Sequence, residues 1–201
     1  MTDNFVLLNE SRRPWLDIDL LKKKFLLLAS EAHPDRVHNA NASEKAEVTQ
    51  RYTQLNAAYN CLAEPKLRLL HLLELELGAK PKDIQTIPAA LADLFADVAN
   101  SCRNADIFLA EKRKTNSPLV QVELFERGQN WVEQLNDLQR KLNDLRTQLT
   151  DGLRSLDAQW ILADAPSRRE ILPKLEELYR LFGYFNRWSS QIQERVVGLS
   201  L

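Results

Sequence analysis

The sequence predicts an all-α protein: an N-terminal helical hairpin followed by a C-terminal antiparallel three-helix bundle. Three observations predict it. Only five glycines and eight prolines punctuate 201 residues rich in Leu, Ala, Lys, Glu and Gln, and β-branched runs are scarce, so helix formers dominate throughout. Apolar residues recur at alternating spacings of three and four in successive stretches, the period of a helix with one buried face. Between two of those stretches stands His33-Pro34-Asp35, a rigid, charged corner, because proline fixes its own φ and pushes the residue before it out of helical geometry.

The totals exclude several classes. A hydrophobic content of 44% in a chain of this length fills a core. With 27 basic and 28 acidic residues the net charge is -1, so no global field recruits nucleic acid or an anionic membrane. The longest apolar stretches, residues 25–29 and 67–77, are too short or too interrupted by charge to span a bilayer, and residues 1–4 lack the features of a signal peptide. A soluble, cytoplasmic protein is expected. Cys61 and Cys102 are isolated on apolar faces, which predicts buried thiols in a reducing compartment. His38 and His71 lack partners at ligand spacing, so neither metal nor cofactor is expected. No acid–base pair, activated nucleophile or phosphate loop points to an enzyme.

Residues 5–8 form a short apolar segment, followed by a polar loop and by Asp17, an N-cap candidate. The helix it opens carries Leu21, Phe25, Leu28 and Ala32 on one stripe, with Lys22, Lys23 and Lys24 beside it. Leu26 and Leu27 widen its apolar face beyond what one partner helix buries, and a second layer of the same protein is expected to cover them. Beyond the corner, residues 36–42 read as a polar loop and Ser43 as the cap of the next helix. There Val48, Tyr52, Leu55, Tyr59 and Leu62 recur at helical spacing. The two helices make a hairpin with His33, Pro34 and Asp35 at its tip.

Pro65 ends that helix and suits the first turn of the next, whose leucines on nearly every side imply burial between two layers. Residues 78–87 read as a linker. From Pro88 on, Leu91, Leu94, Phe95, Val98, Cys102, Ala105, Phe108 and Leu109 share a face up to a turn at 112–117. Trp131, Leu135, Leu138, Leu142, Leu145 and Leu149 then keep a strict four-three alternation, continued by Leu153, Leu156 and Trp160 with a slip near Gly152. After the break at Asp164-Ala165-Pro166 a last helix shows Ile171, Leu175, Leu178, Phe182, Phe185, Trp188, Ile192 and Val196, with Pro173 near its start. Three long helices with short connections fold most simply as a bundle. Heptads also permit a homodimer, so monomer and homodimer both stay open.

The first seventy-odd residues resemble a J domain, the part of DnaJ-type co-chaperones that docks on a DnaK-type chaperone and stimulates its ATPase. Phe5 and Leu8 match its first helix; Leu21, Phe25 and Leu28 its second; His33-Pro34-Asp35-Arg36 its signature loop; and Leu55-Asn56-Ala57-Ala58-Tyr59-Asn60-Cys61-Leu62 its third. At average residue usage a lone His-Pro-Asp arises in roughly one chain in a hundred of this length, so the flanking patterns carry the resemblance. Arg12-Arg13-Pro14-Trp15-Leu16-Asp17 and the run from Pro65 through Leu73 are similar to the HscB family, J-proteins of iron–sulfur cluster assembly with a C-terminal three-helix bundle that binds the cluster scaffold.

The resemblance implies a J domain over 1–77, the linker at 78–87 and a client-binding bundle over 88–201. It implies docking on a DnaK/HscA-type ATPase chaperone through His33, Pro34, Asp35, Arg36, Lys22, Lys23 and Lys24, with Asp35 engaging an arginine of the partner. It also makes Leu91, Leu94 and Phe95 candidate contacts for a client, an iron–sulfur scaffold, although their periodicity places all three in the core. The second helix departs from the family pattern, with Leu26 and Leu27 at positions often basic and Glu31 near its end. The alternative function is a helical scaffolding protein whose J-like hairpin stimulates no ATPase.

Overall fold

The computed structural model describes residues 2–37, 41–81, 87–114 and 118–200, without the side chains of residues 118, 119 and 121. His38, the middle of the linker at 82–86 and the end of the turn at 115–117 lie outside the described residues. Among the described residues there is no β-strand, and no helix is long and apolar enough to cross a membrane.

Four helices make up the first part of the chain: α1 (Asn4–Leu7), α2 (Ile18–Glu31), α3 (Ala42–Ala63) and α4 (Pro65–Leu77). Their ends follow from side-chain caps, which satisfy the amide groups that a helix leaves unpaired. Asp3 caps α1, and Asp17 caps α2 by accepting from the amides of Asp19 and Leu20, both at 3.0 Å. The cap of α3 is Asn41 rather than Ser43: its Oδ1 accepts from the Glu44 amide at 3.0 Å, while Ser43, already helical, donates to Glu47. Pro65 takes the first position of α4, where a missing N–H costs nothing, and Gly78 ends it at φ 71, a left-handed conformation that favours glycine.

α2 and α3 run antiparallel, with Phe25 stacked on Tyr59 at 4.5 Å between ring centroids and His33 edge-on to Tyr52 at 5.4 Å. α1 and α4 also pack on α3. Phe5, Leu8, Leu21, Leu55, Leu62, Leu69, Leu72 and Leu73 form the core. The α4 pattern is only partly that of a helix apolar on every side: Leu67 and Leu77 are exposed, whereas Arg68 and His71 are buried. Arg68 donates to the carbonyls of Pro14, at 2.8 Å, and Leu62. Burial pulls its guanidinium down to about 10, still charged near neutrality. His71 Nε2 accepts the Asn4 amide at 3.0 Å and its ring stacks on Phe5. Cys61, expected to be buried, is only half-buried, and Cys102 is buried.

The second part comprises a 3-10 turn (Ala89–Leu91) and the long helices α5 (Ala92–Lys112), α6 (Pro118–Leu162) and α7 (Ala165–Ser200), with Pro173 inside α7. The chain divides into two compact units, Met1–Lys82 with Asp151–Arg180, and Asp83–Thr150 with Leu181–Leu201. This division cuts across the one expected from the sequence, because the end of α6 and the start of α7 group with the N-terminal helices. Buried polar groups account for it. Asp157 of α6 is paired with the Arg13 guanidinium and accepts the Trp15 amide at 3.1 Å; Trp160 donates its indole N–H to the Arg12 carbonyl at 2.9 Å; and Arg154 lies over the Trp15 ring. The register slip near Gly152 is what turns Asp157 inward, between buried Leu153 and Trp160.

In the second unit α6 runs antiparallel to α5 and α7. Arg127 forks onto Glu111 with two bonds of 3.0 Å, and Gln139 donates to Ser189 at 3.0 Å. α5 and α7 run parallel, joined by Arg195–Asp106 at 2.8 Å and by the Lys112 ammonium on the Leu199 carbonyl at 3.2 Å. Val98, Phe108, Leu135, Leu138, Leu142, Phe185, Trp188 and Ile192 fill the interior, as the spacing predicted.

Two predictions follow from the buried polar groups. Arg13→Ala strands the Asp157 carboxylate in the interior and is expected to cost about 3 kcal/mol, read as a lowered urea midpoint, with Asp157→Asn costing less because its amide oxygen still accepts the Trp15 amide. Burial pulls the His71 imidazole below its ordinary 6.5, helped by Arg12 and opposed by the Asp3 and Glu74 carboxylates. The unfolded chain therefore binds a proton that the folded chain resists, and stability drains away as pH falls through that ordinary value. The urea midpoint should be level above about pH 7 and drop in mild acid, and His71→Gln, which still offers an acceptor to Asn4, should flatten that drop.

Candidate partner-docking site

α2 ends where Ala32 donates its amide to the Leu28 carbonyl, since Pro34 offers no N–H to continue it. Of the polar loop expected over 36–42, Arg36 and Val37 instead belong to one turn of 3-10 helix, Pro34–Val37, closed by the Arg36 amide on the His33 carbonyl at 3.0 Å. Proline suits the first position of such a turn for the same reason that it suits the start of an α-helix. The turn packs against α3.

Within the corner, the Asp35 amide donates to His33 Nδ1 at 3.3 Å, and the ring edge rests on Tyr52. With Nδ1 accepting, the proton of the neutral imidazole sits on Nε2. The Asp35 carboxylate lies 3.5 Å from Nδ1 and its side chain is 90% exposed. It is an acceptor held at the tip of a hairpin and offered to solvent, suited to a charged fork from another molecule. Arg36 is exposed beside it.

The three lysines on α2 part company. Lys24 is tied down by Glu10 at 2.7 Å and by the Asn9 carbonyl at 3.2 Å; Asn9 itself takes a left-handed φ of 53, which asparagine tolerates, in the turn after α1. Lys22 and Lys23 are exposed and make no ion pair among the described residues. Leu26 and Leu27, expected to lie under a second layer, are 53% and 62% exposed, and Leu20 is 55% exposed. The buried side of α2 is set by Leu21, Phe25, Leu28 and Ala29 against α3, and these leucines lie on the helix surface turned away from it.

Leu91, Leu94 and Phe95 also depart from the core position that their periodicity suggests. Leu91 and Leu94 are half-buried, and Phe95 is 42% exposed with its ring 6.1 Å from that of Trp188. They stand at the start of α5, where the bundle is still opening, and Phe95 borders a shallow cleft of about 620 Å³ between α5 and α7 with Ala99, Cys102, Arg103 and Ile107. Among the described residues no group of three or more His, Cys, Asp or Glu could hold a metal ion.

No protein-family model matches the chain. Solved structures do. The human co-chaperone protein HscB aligns over 98% of this chain and 81% of its own with a TM-score of 0.60 and 19% identity. The fold is that of HscB. The HscB chaperone from Vibrio cholerae aligns over 96% of both chains with a TM-score of 0.57 and 16% identity, so the HscB-like architecture extends through the long helices as well as the hairpin. Among curated sequences, the co-chaperone protein HscB homologs of Shewanella woodyi and Bordetella avium are 35% and 36% identical over 60 and 59 residues, 30% and 29% of this chain. Adaptation to cold protein J of Shewanella oneidensis is 34% identical over 56 residues, 28% of this chain and 60% of that protein. The chain spans about a third of the length of the HscB relatives it matches.

What sequence reasoning missed here is the state of the α2 surface: the tethering of Lys24 and the exposure of Leu26 and Leu27. The signal for the latter was present, since neither leucine falls on the stripe of Leu21, Phe25 and Leu28.

Proposed function

We propose that the protein is a J-type co-chaperone: it docks on a DnaK-type ATPase through His33, Pro34, Asp35 and Arg36, stimulates hydrolysis, and delivers a client held on the α5–α7 bundle. The observation that carries this reading is the exposed Asp35 carboxylate, fixed by the proline turn and the His33 contact at the end of an HscB-like hairpin. Such a device performs no bond-making itself. It acts by binding the hydrolysis-competent conformation of its partner better than the other, which shifts that equilibrium. Lys22 and Lys23 are the basic side chains free to support the contact. An iron–sulfur cluster scaffold is the client that the HscB resemblance supports, with Leu91, Leu94 and Phe95 as its contacts, since all three are at least partly accessible.

Single-turnover ATP hydrolysis by the DnaK-type ATPase of the same organism tests the first part: the wild-type chain should accelerate it and His33→Gln should abolish the acceleration. Stimulation indifferent to that substitution would return the chain to a scaffolding role. The client is tested by capture of a purified iron–sulfur scaffold on the full chain. Residues 79–201 alone would be a poor bait, because they leave Asp157 and Trp160 without Arg13 and the Arg12 carbonyl. Phe95→Asp should reduce capture roughly tenfold or more with little change in melting temperature, and undiminished capture would remove Phe95 from the client surface.

A further inference from the structure

The outer face of α2 carries more apolar surface than a hairpin of this kind needs for folding. Leu20 and Leu27, seven residues apart, stand on one line of the helix; Leu26 stands on the neighbouring line with Lys23. All three leucines are more than half exposed. Their contribution to the core is therefore small, and a free chain exposes them to water at a cost.

The charges around them narrow the choice of occupant. Lys22 and Lys23 are exposed cations three or four residues from Leu26 on the same helix, so a second copy laid on this face would bring like charges together. Asp19 and Glu31, exposed at the two ends of the same helix, disfavour an anionic lipid surface. What fits is a protein with an apolar recess edged by carboxylates. The patch lies on the helix that ends at the corner carrying Asp35, so one partner can cover both.

We propose that Leu26 and Leu27, with Leu20, are apolar specificity contacts by which this hairpin selects its ATPase, whose docking surface pairs an apolar recess with a carboxylate rim. The inference rests on the co-chaperone reading above and deepens it. On a hairpin that docks by charge alone, these positions would carry cations and affinity would fall steeply with salt. Here the apolar contacts persist in salt, and an ATPase with carboxylates in place of the recess is docked poorly.

The test measures single-turnover ATP hydrolysis by the DnaK-type ATPase of the same organism against concentration of the full chain, at low and high salt. The chains compared are the wild type, Leu26→Gln/Leu27→Gln and His33→Gln. Glutamine keeps helix propensity and adds no charge, and since both leucines are exposed the melting temperature should not move. The double variant is expected to raise the half-maximal concentration roughly tenfold or more, and to do so at high salt as at low, because salt screens the charge contacts and leaves the apolar ones. If the double variant stimulates as well as the wild type while His33→Gln remains inactive, the inference falls and the co-chaperone reading stands. If the wild type stimulates nothing, or does so regardless of His33, both fall. A wild-type dimer in sedimentation that the double substitution dissolves would assign the face to self-association and overturn the inference.

Discussion

Asp157 is a carboxylate on a long helix in a position that excludes water, and the N-terminal unit is arranged around satisfying it. An unpaired charge at that depth costs several kcal/mol, so a cation and an amide must be brought to it. Arg13 and the Trp15 amide are supplied by the segment between α1 and α2. That segment is held from two sides, since Trp160 takes the Arg12 carbonyl and Arg68, from α4, takes the Pro14 carbonyl. A stretch that looks like a polar loop is thus anchored at four consecutive residues, Arg12 to Trp15, and the start of α2 at Asp17 is set within a few residues of these anchors.

Much of the fold was legible because it rests on period and punctuation. The stripes on α2 and α3, the caps at Asp17 and Pro65, and the break at Asp164 all express local chemistry. The limits were equally local in cause. The capping of α3 by Asn41 rather than Ser43 is a choice between two adjacent capping residues, which geometry decides and composition does not. Asp157 lay hidden because the slip in the heptads moved the buried position from the leucine line onto it; a carboxylate flanked at helical spacing by Leu153 and Trp160 was the available clue. Its partner, 144 residues away, could not be read from any local pattern. Leu91, Leu94 and Phe95 continue a core stripe in sequence yet lie where the bundle opens, and periodicity carries no information about where a neighbouring helix ends.

The likeness to HscB is one of architecture at 19% and 16% identity, and the positions that carry it are unequal in kind. Apolar positions tolerate exchange as long as volume and register persist, which explains how the fold survives such divergence. The corner is different, because a proline turn with an acceptor histidine before it and a free carboxylate after it depends on each residue's own chemistry. Between these extremes lies the outer face of α2, where Leu20, Leu26 and Leu27 stand exposed on a helix whose other side packs against α3.

The contact between the Asp35 amide and His33 Nδ1 has a consequence beyond geometry. A flexible charged loop surrenders conformational entropy when a partner stops its motion, about 1–2 kcal/mol for each residue fixed. In this corner the proline ring, the 3-10 turn, the imidazole and its edge-on seat against Tyr52 all restrict the backbone. In the docking proposed above, an incoming fork of donors would meet a carboxylate whose backbone needs little ordering.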